Sequence, residues 1–193
     1  MQAMATRWKP SVTVAAIIVR HVDGEAQFLL VEEHTPEGLK LNNPAGHLDP
    51  EESPQQAVVR EALEETARVF TPDLLVGVYL SRFQRQRVMV PPGCATPQGS
   101  PADLEAARRS AVEDVTYLRF AFAGTASEPD PNRTLDDGIV RTLWMTLAEL
   151  RMSRARHRSP HVLGCVLDYL AGRAYPLDAI TTDATVYVPE VKG

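Results

Sequence analysis

Between Gly46 and Thr66 the chain reads GHLDPEESPQQAVVREALEET, which sets Gly46, Glu52, Arg60, Glu61, Glu64 and Glu65 at fixed offsets. The second half of this segment has the marks of a helix. Ser53 can cap it, Pro54 suits the first helical position, and Gln56 completes a capping box. The helix is expected to run to about Ala67 or Val69, with Thr71-Pro72 closing it. Ala57, Val58, Ala62 and Leu63 supply its apolar contacts. On that helix Glu61, Glu64 and Glu65 fall within an arc of roughly 100°. Three carboxylates on one face repel each other, so the cluster reads as a seat for a hard divalent cation, which prefers carboxylate oxygens.

The rest of the chain limits what such a seat can serve. With 193 residues, one domain with a sizeable core is the default. The formal charge of −5 gives no global attraction to nucleic acid or anionic lipid. Any anionic ligand must be drawn by local arginines or bound metal. Cys94 and Cys165 are the only cysteines, with no CxxC pair, so a reducing compartment is the simpler expectation. No signal peptide or membrane-length apolar run is present, which points to a soluble cytoplasmic protein.

Ser11–Arg20 and Gln27–Glu33 read as strands joined through Asp23-Gly24. Leu39–Leu48 is expected to be loop and short strand. Leu74–Phe83, Val115–Ala123 and Ile139–Leu147 read as further strands, with a helical turn at Ala148–Arg151. Pro91–Pro101 is proline- and glycine-rich and reads as loop, and Ala102–Val112 as a short helix. Ser159-Pro160 repeats the cap-and-proline start, and Val162, Leu163, Val166, Leu167 and Leu170 form a helical stripe that Gly172 ends. Thr185–Val188 is either a last strand or surface chain. No repeat or second composition zone divides residues 1–193. Strands do not alternate regularly with helices, so the expected class is α/β of the α+β kind, a mixed sheet sandwiched between helices.

The six spaced residues resemble the Nudix box, G-x5-E-x7-R-E-U-x-E-E-x-G-U with U bulky and apolar. Chance agreement at all six is on the order of 10⁻⁵ over the chain at average residue usage. Ala62 is small at the first U, Ala67 replaces the final glycine, and Arg68 stands at an apolar position. Beyond the box, KPSVTVAAIIV, FLLVEE, NNPAGHLDPEE, YLRFAF, WMTLAEL and RSPHV resemble the small Nudix phosphatases of nucleoside tri- and diphosphates and hydroxymethylpyrimidine diphosphate. Residues 85–114 look like an insertion relative to that branch, and 173–193 like an uncovered tail.

The resemblance implies a Nudix α/β/α sandwich and hydrolysis of a phosphoanhydride by water. It implies Mg²⁺, with Mn²⁺ as a substitute, on Glu61, Glu64 and Glu65, with the Gly46 carbonyl as a further ligand. Glu61 or Glu65 would accept the water's proton. Arg60 and Glu52 would fix the carboxylates. Other substrates in view are ADP-ribose and dinucleotide polyphosphates, and a non-catalytic nucleotide sensor is the rival. The expected partner is a small nucleotide or diphosphate, with neither nucleic acid nor membrane, and a homodimer is an open assembly.

Substrate contacts must come from outside the box. Arg119 has a counterpart in the resembling phosphatases. Arg158 or His161 at the start of the last helix suits phosphate, though Arg151, Arg154, Arg156 and Arg158 also read as a solvated basic turn. Trp8 and Phe83 can stack on a base or serve as core or rim aromatics. His47 is a group beside the site or a loop histidine. Arg82, Arg85 and Arg87 pose the same choice as the other arginines. Asp136-Asp137 reads as a late acidic group or as a turn. His157 and His161 stand four apart, but Ser159-Pro160 interrupts the helix a zinc pair would need.

Overall fold

The computed structural model describes residues 8–88 and 110–188. The chain divides into two compact units, Val12–Tyr79 with Leu118–Gly193, and Met1–Ser11 with Leu80–Tyr117. The strands are β1 (Ser11–Val22), β2 (Glu25–Thr35), β3 (Gly38–Asn42), β4 (Ala45–His47), β5 (Phe70–Val88), β6 (Ser110–Ala126) and β7 (Ile139–Thr146). The helices are α1 (Pro54–Thr66), α2 (Leu147–Met152) and α3 (His161–Leu170).

The sheet runs β3-β2-β1-β6-β5, with β4 paired to β1 and β7 to β2. β1 meets β2 antiparallel from Val19↔Phe28 to Val22↔Glu25, and meets β4 at Val14↔Gly46. β2 meets β3 with Val31↔Asn42 in register, and meets β7 with an irregularity between Glu32 and Glu33. The result is the expected α/β/α sandwich, a mixed sheet flanked by helices.

β1 explains why the larger unit has two layers. Val14, Ala16 and Ile18 pack toward Ala57, Val58 and Ala62 of α1. Ile17 and Val19 pack toward Val162, Leu163, Cys165 and Val166 of α3. Side chains alternate along a strand, so a run apolar at every position must be covered on both faces.

Three expectations need correcting. β5 begins at Phe70, directly after α1, and contains Pro72. β5 ends the strand order, where a missing N–H is tolerated. Gly124 of β6 passes so close that a Cβ there would lie 2.0 Å from the Thr71 carbonyl oxygen. β6 begins at Ser110, so the helix expected through Val112 does not extend there. Cross-strand pairing outweighs the local preference. The loop expected at Pro91–Pro101 lies outside the described residues, as do residues 102–109. Finally, Ser159-Pro160 does not repeat the box cap: α3 starts at His161 with no side-chain cap. Of the two readings of Thr185–Val188, the surface one holds, with a 3₁₀ turn at Ala184–Tyr187. Among the described residues no helix is long and apolar enough to cross a membrane.

In the smaller unit, Arg82 pairs with Asp114 at 2.5 Å and the Phe83 and Tyr117 rings lie 6.1 Å apart. Trp8 belongs to this unit and is 67% exposed.

Candidate functional site

The capping box that starts α1 forms as expected. Ser53 Oγ accepts from the Gln56 N–H, and Gln56 Oε1 accepts from the Ser53 N–H. This fixes the helix start and so the phase of every carboxylate after it.

Arg60 is the centre of the site. Its Nε donates to Glu52 Oε2 at 3.1 Å, and its Nη2 donates to Glu52 Oε1 at 2.7 Å and to the His47 carbonyl at 3.0 Å. Its Nη1 donates to Glu61 Oε1 at 2.8 Å and Glu64 Oε2 at 3.0 Å. One planar guanidinium thus ties the Gly46–Glu52 loop to two helix carboxylates. The hydrogen bond to Glu52, working against burial and joined by the one to Glu61, holds Arg60 firmly charged. Burial would push the Glu52 carboxyl up, but Arg60 and the Asp49 N–H outweigh it, so it sits below the usual range.

Glu65 is held differently. It is buried, and its Oε2 accepts from the Ala45 N–H at 2.9 Å. Burial pushes its carboxyl up to about 8, opposed by that hydrogen bond and reinforced by the charges of Glu61, Glu33 and Asp136. Glu61 is also raised, chiefly by burial, despite Arg60. Gly46 makes room for it: a Cβ on Gly46 would lie 2.0 Å from the Glu61 carboxyl carbon and 2.1 Å from each oxygen. The glycine is therefore required by the close approach of a helix carboxylate to β4.

The C-terminal end of α1 shows what the irregular box residues do. Ala67 adopts the left-handed conformation at φ 55° and caps the helix, doing with a side chain what glycine does more cheaply. The following segment supplies further partners: the Asp130 N–H donates to the Ala67 carbonyl and the Asp136 N–H to that of Glu64. Arg68 is buried, donates to the Ser127 carbonyl at 2.8 Å, and lies 5.7 Å from the Trp144 ring centre. A cation over an aromatic face accounts for an arginine at an apolar position.

The structure adds Glu33, which the sequence reading missed, and brings in Asp136, which it left open. Asp136 closes the turn before β7, its carbonyl accepting from the Ile139 N–H, and its charge also reaches Glu65. The turn reading of Asp136 holds. Glu33 has a visible signal: FLLVEE is an apolar strand that ends in adjacent glutamates. Both are largely buried. Glu32 pairs with Arg141 at 2.7 Å and with Arg156, and Glu33 Oε2 accepts from Arg158 at 3.0 Å.

The remaining expected residues separate. Arg158 touches Glu33 and through it borders the carboxylates. Arg119 lies on the α3 side of β6, on the same face as Ala121 and Ala123; burial depresses His161 and the Arg119 charge adds to it, while that charge opposes the burial-driven rise of Cys165. His47 lends its carbonyl to Arg60. His157 has Ser153 Oγ 3.2 Å from its Nε2, whereas the His161 ring lies 5.4 Å from that of Tyr79, so the two histidines have different surroundings.

Among the described residues no group of three or more His, Cys, Asp or Glu side chains is placed closely enough to hold a metal. The donor set nonetheless suits a hard divalent cation. It is all oxygen, and the charges of Glu61, Glu33 and Asp136 crowd a buried Glu65 that no arginine contacts among the hydrogen bonds described.

The NUDIX domain model matches residues 10–163. A NUDIX hydrolase from Nitrosomonas europaea is 41% identical, spans 91% of this chain and 98% of its own, and superposes with a TM-score of 0.67. Phosphatase NudJ of Escherichia coli strain K12 is 29% identical over 173 residues, which is 90% of this chain and 92% of the relative. The NUDIX domain of Shewanella oneidensis NrtR, solved with ADP ribose, is 14% identical over 88% of this chain and 94% of its own, with a TM-score of 0.52, and shows the fold alone. The chain belongs to the NUDIX family. At family level it is a hydrolase acting on a phosphoanhydride bond in a small nucleotide or diphosphate.

Proposed function

We propose that this chain is a Mg²⁺-dependent phosphohydrolase of nucleoside di- or triphosphates or a related small diphosphate. The observation that supports this best is the pairing of an arginine-locked loop with a buried, charge-crowded Glu65.

Glu61, Glu64 and Glu65 would hold the metal, with the Gly46 carbonyl as a further ligand. When bound, Mg²⁺ neutralises phosphate charge and lowers the pKa of a bound water. The chain's own residues set the geometry. Arg60 and Glu52 fix the loop against the helix. Glu65, steadied by the Ala45 N–H, or Glu61 accepts the proton of the attacking water. The water oxygen bonds to phosphorus as the bridging P–O bond breaks, and the leaving phosphate takes the bond's electron pair. Positioning and charge carry such a reaction, since the transition state is loose. Arg158, beside Glu33, is the nearest candidate for binding substrate phosphate, and Arg119 and His47 complete the proposed contacts on the same unit. The phosphatase named among the relatives supports release of phosphate.

The test is a panel of nucleoside di- and triphosphates, ADP-ribose, dinucleotide polyphosphates and hydroxymethylpyrimidine diphosphate, with Mg²⁺ and with a chelator. Metal-dependent phosphate from one class supports the proposal. Binding of a nucleotide that survives prolonged incubation would favour a sensor instead.

A further inference from the structure

The segment after α3 does not trail away from the molecule. Arg173 Nη1 lies 3.4 Å from Asp168 Oδ2, which also accepts from the Tyr79 hydroxyl at 2.9 Å. Tyr175 then pairs antiparallel with Leu75 of β5 through two backbone hydrogen bonds of 2.9 Å each. Beyond it, Leu177 and Ile180 pack against the cluster that contains Ala57, Val58 and Ala62 of α1. The chain thus passes from the α3 layer, over the last strand of the sheet order, to the α1 layer.

Its contact on α1 is specific. Gln55 is the second residue of the helix, and its Nε2 donates to the carbonyls of Leu177 at 3.1 Å and Ile180 at 3.4 Å. Apolar packing alone would allow α1 to slide or rotate slightly, whereas a side-chain amide gripping two carbonyls of a neighbouring turn opposes both motions. Gln55 stands six residues before Glu61, about 9 Å along the helix axis. A small rotation of the first turn therefore carries straight into the carboxylates.

We propose that residues 173–180 are a positioning strap for the box helix: the tail grips Gln55 and aims glutamates that it never touches. The proposal rests on the catalytic reading of α1. It also explains why the tail is tied twice, at the β5 edge through the Tyr175 bridge and on α1 through Gln55, since a strap must be anchored at both ends.

The test pairs Gln55→Glu, which sets a carboxylate against the two carbonyls, with Gln55→Lys, which keeps a donor of similar reach. Gln55→Glu is expected to lower kcat about fivefold or more, because small misplacements of reacting groups are costly. It should raise the Mg²⁺ concentration for half-maximal rate, leave KM within about twofold, and speed amide exchange across α1. Gln55→Lys should restore kcat and exchange toward wild type. A chain ending at Gly172 should show the same changes more strongly, and a synthetic peptide of residues 173–188 should reverse them. If the shortened chain does not fold, the Glu and Lys pair decides. Wild-type kcat and exchange in Gln55→Glu, or equal losses in both variants, would overturn the strap. If the wild-type protein hydrolyses nothing, the catalytic reading fails, while the exchange difference still tests the strap.

Discussion

α1 and α3 flank the same sheet, yet they bury opposite chemistry. α3 buries Val162, Leu163, Cys165 and Val166, and ends where Gly172 takes the left-handed turn at φ 80°. α1 buries Glu61 and Glu65 beside Ala57, Val58 and Ala62, and turns left-handed at an alanine. The capping also differs: α1 has a complete capping box, whereas α3 has no side-chain cap. A helix that buries apolar side chains is stabilised by doing so, and its ends can be loose. A helix that buries carboxylates is destabilised by them, and α1 is correspondingly held at its cap, through Arg60, by the segment before β7 and by the tail. On the proposed function, α3 serves stability, whereas α1 serves chemistry at the expense of stability.

The sharpest way to break this contrast is to remove charge from α1. Glu64→Gln and Glu65→Gln should each lower Mg²⁺-dependent kcat by about 10² or more, with the melting temperature of Glu65→Gln unchanged or raised. Phosphate-release kinetics beside thermal melts would check this, and wild-type rates in both would end the assignment. Gly46→Ala comes next. Its Cβ must displace the Glu61 carboxylate, so kcat should fall by about tenfold or more while far-UV circular dichroism stays native.

On the opposite face, Leu163→Ala should cost about 3 kcal/mol of stability, the usual range for a buried leucine, and leave kcat per folded molecule unchanged. Denaturant unfolding and active-site titration would separate the two effects. A pH series probes the α1 side more gently. The Glu65 carboxyl is raised to about 8 from an ordinary 4.5, so the folded protein holds more protons than the unfolded one between those values. Metal-free protein should therefore lose stability as pH rises through that window, and Glu65→Gln should flatten the loss. Ala67→Gly is the smallest change. It relieves a left-handed alanine at φ 55° and should stabilise by about 1 kcal/mol, read as a small rise in melting temperature.

Much of α1 was legible because its signals are local. Cap, proline, apolar positions and carboxylates lie within a few turns, and a helix turns fixed offsets into a shared face. The two-sided burial of β1 was legible from its unbroken apolar run. What was not legible is what closes over long separations. The Glu65 bond to the Ala45 N–H spans 20 residues, and Gln55 meets Leu177 across 122. No periodicity records such contacts. Glu33 was missed because a glutamate at a strand end ordinarily meets water, and only the packing of Arg158 against it shows otherwise. The strand through Pro72 was missed because proline reads as a break unless its place at the sheet edge is known.

The carboxylate face of α1 is proposed as a divalent-metal seat. Titration of the protein with Mn²⁺, followed by electron paramagnetic resonance, tests it without any substrate. Wild type is expected to take up Mn²⁺, Mg²⁺ to compete for it, and a Glu61→Gln, Glu64→Gln, Glu65→Gln triple variant to take up none. Undiminished binding in the triple variant, or no binding in wild type, would contradict it.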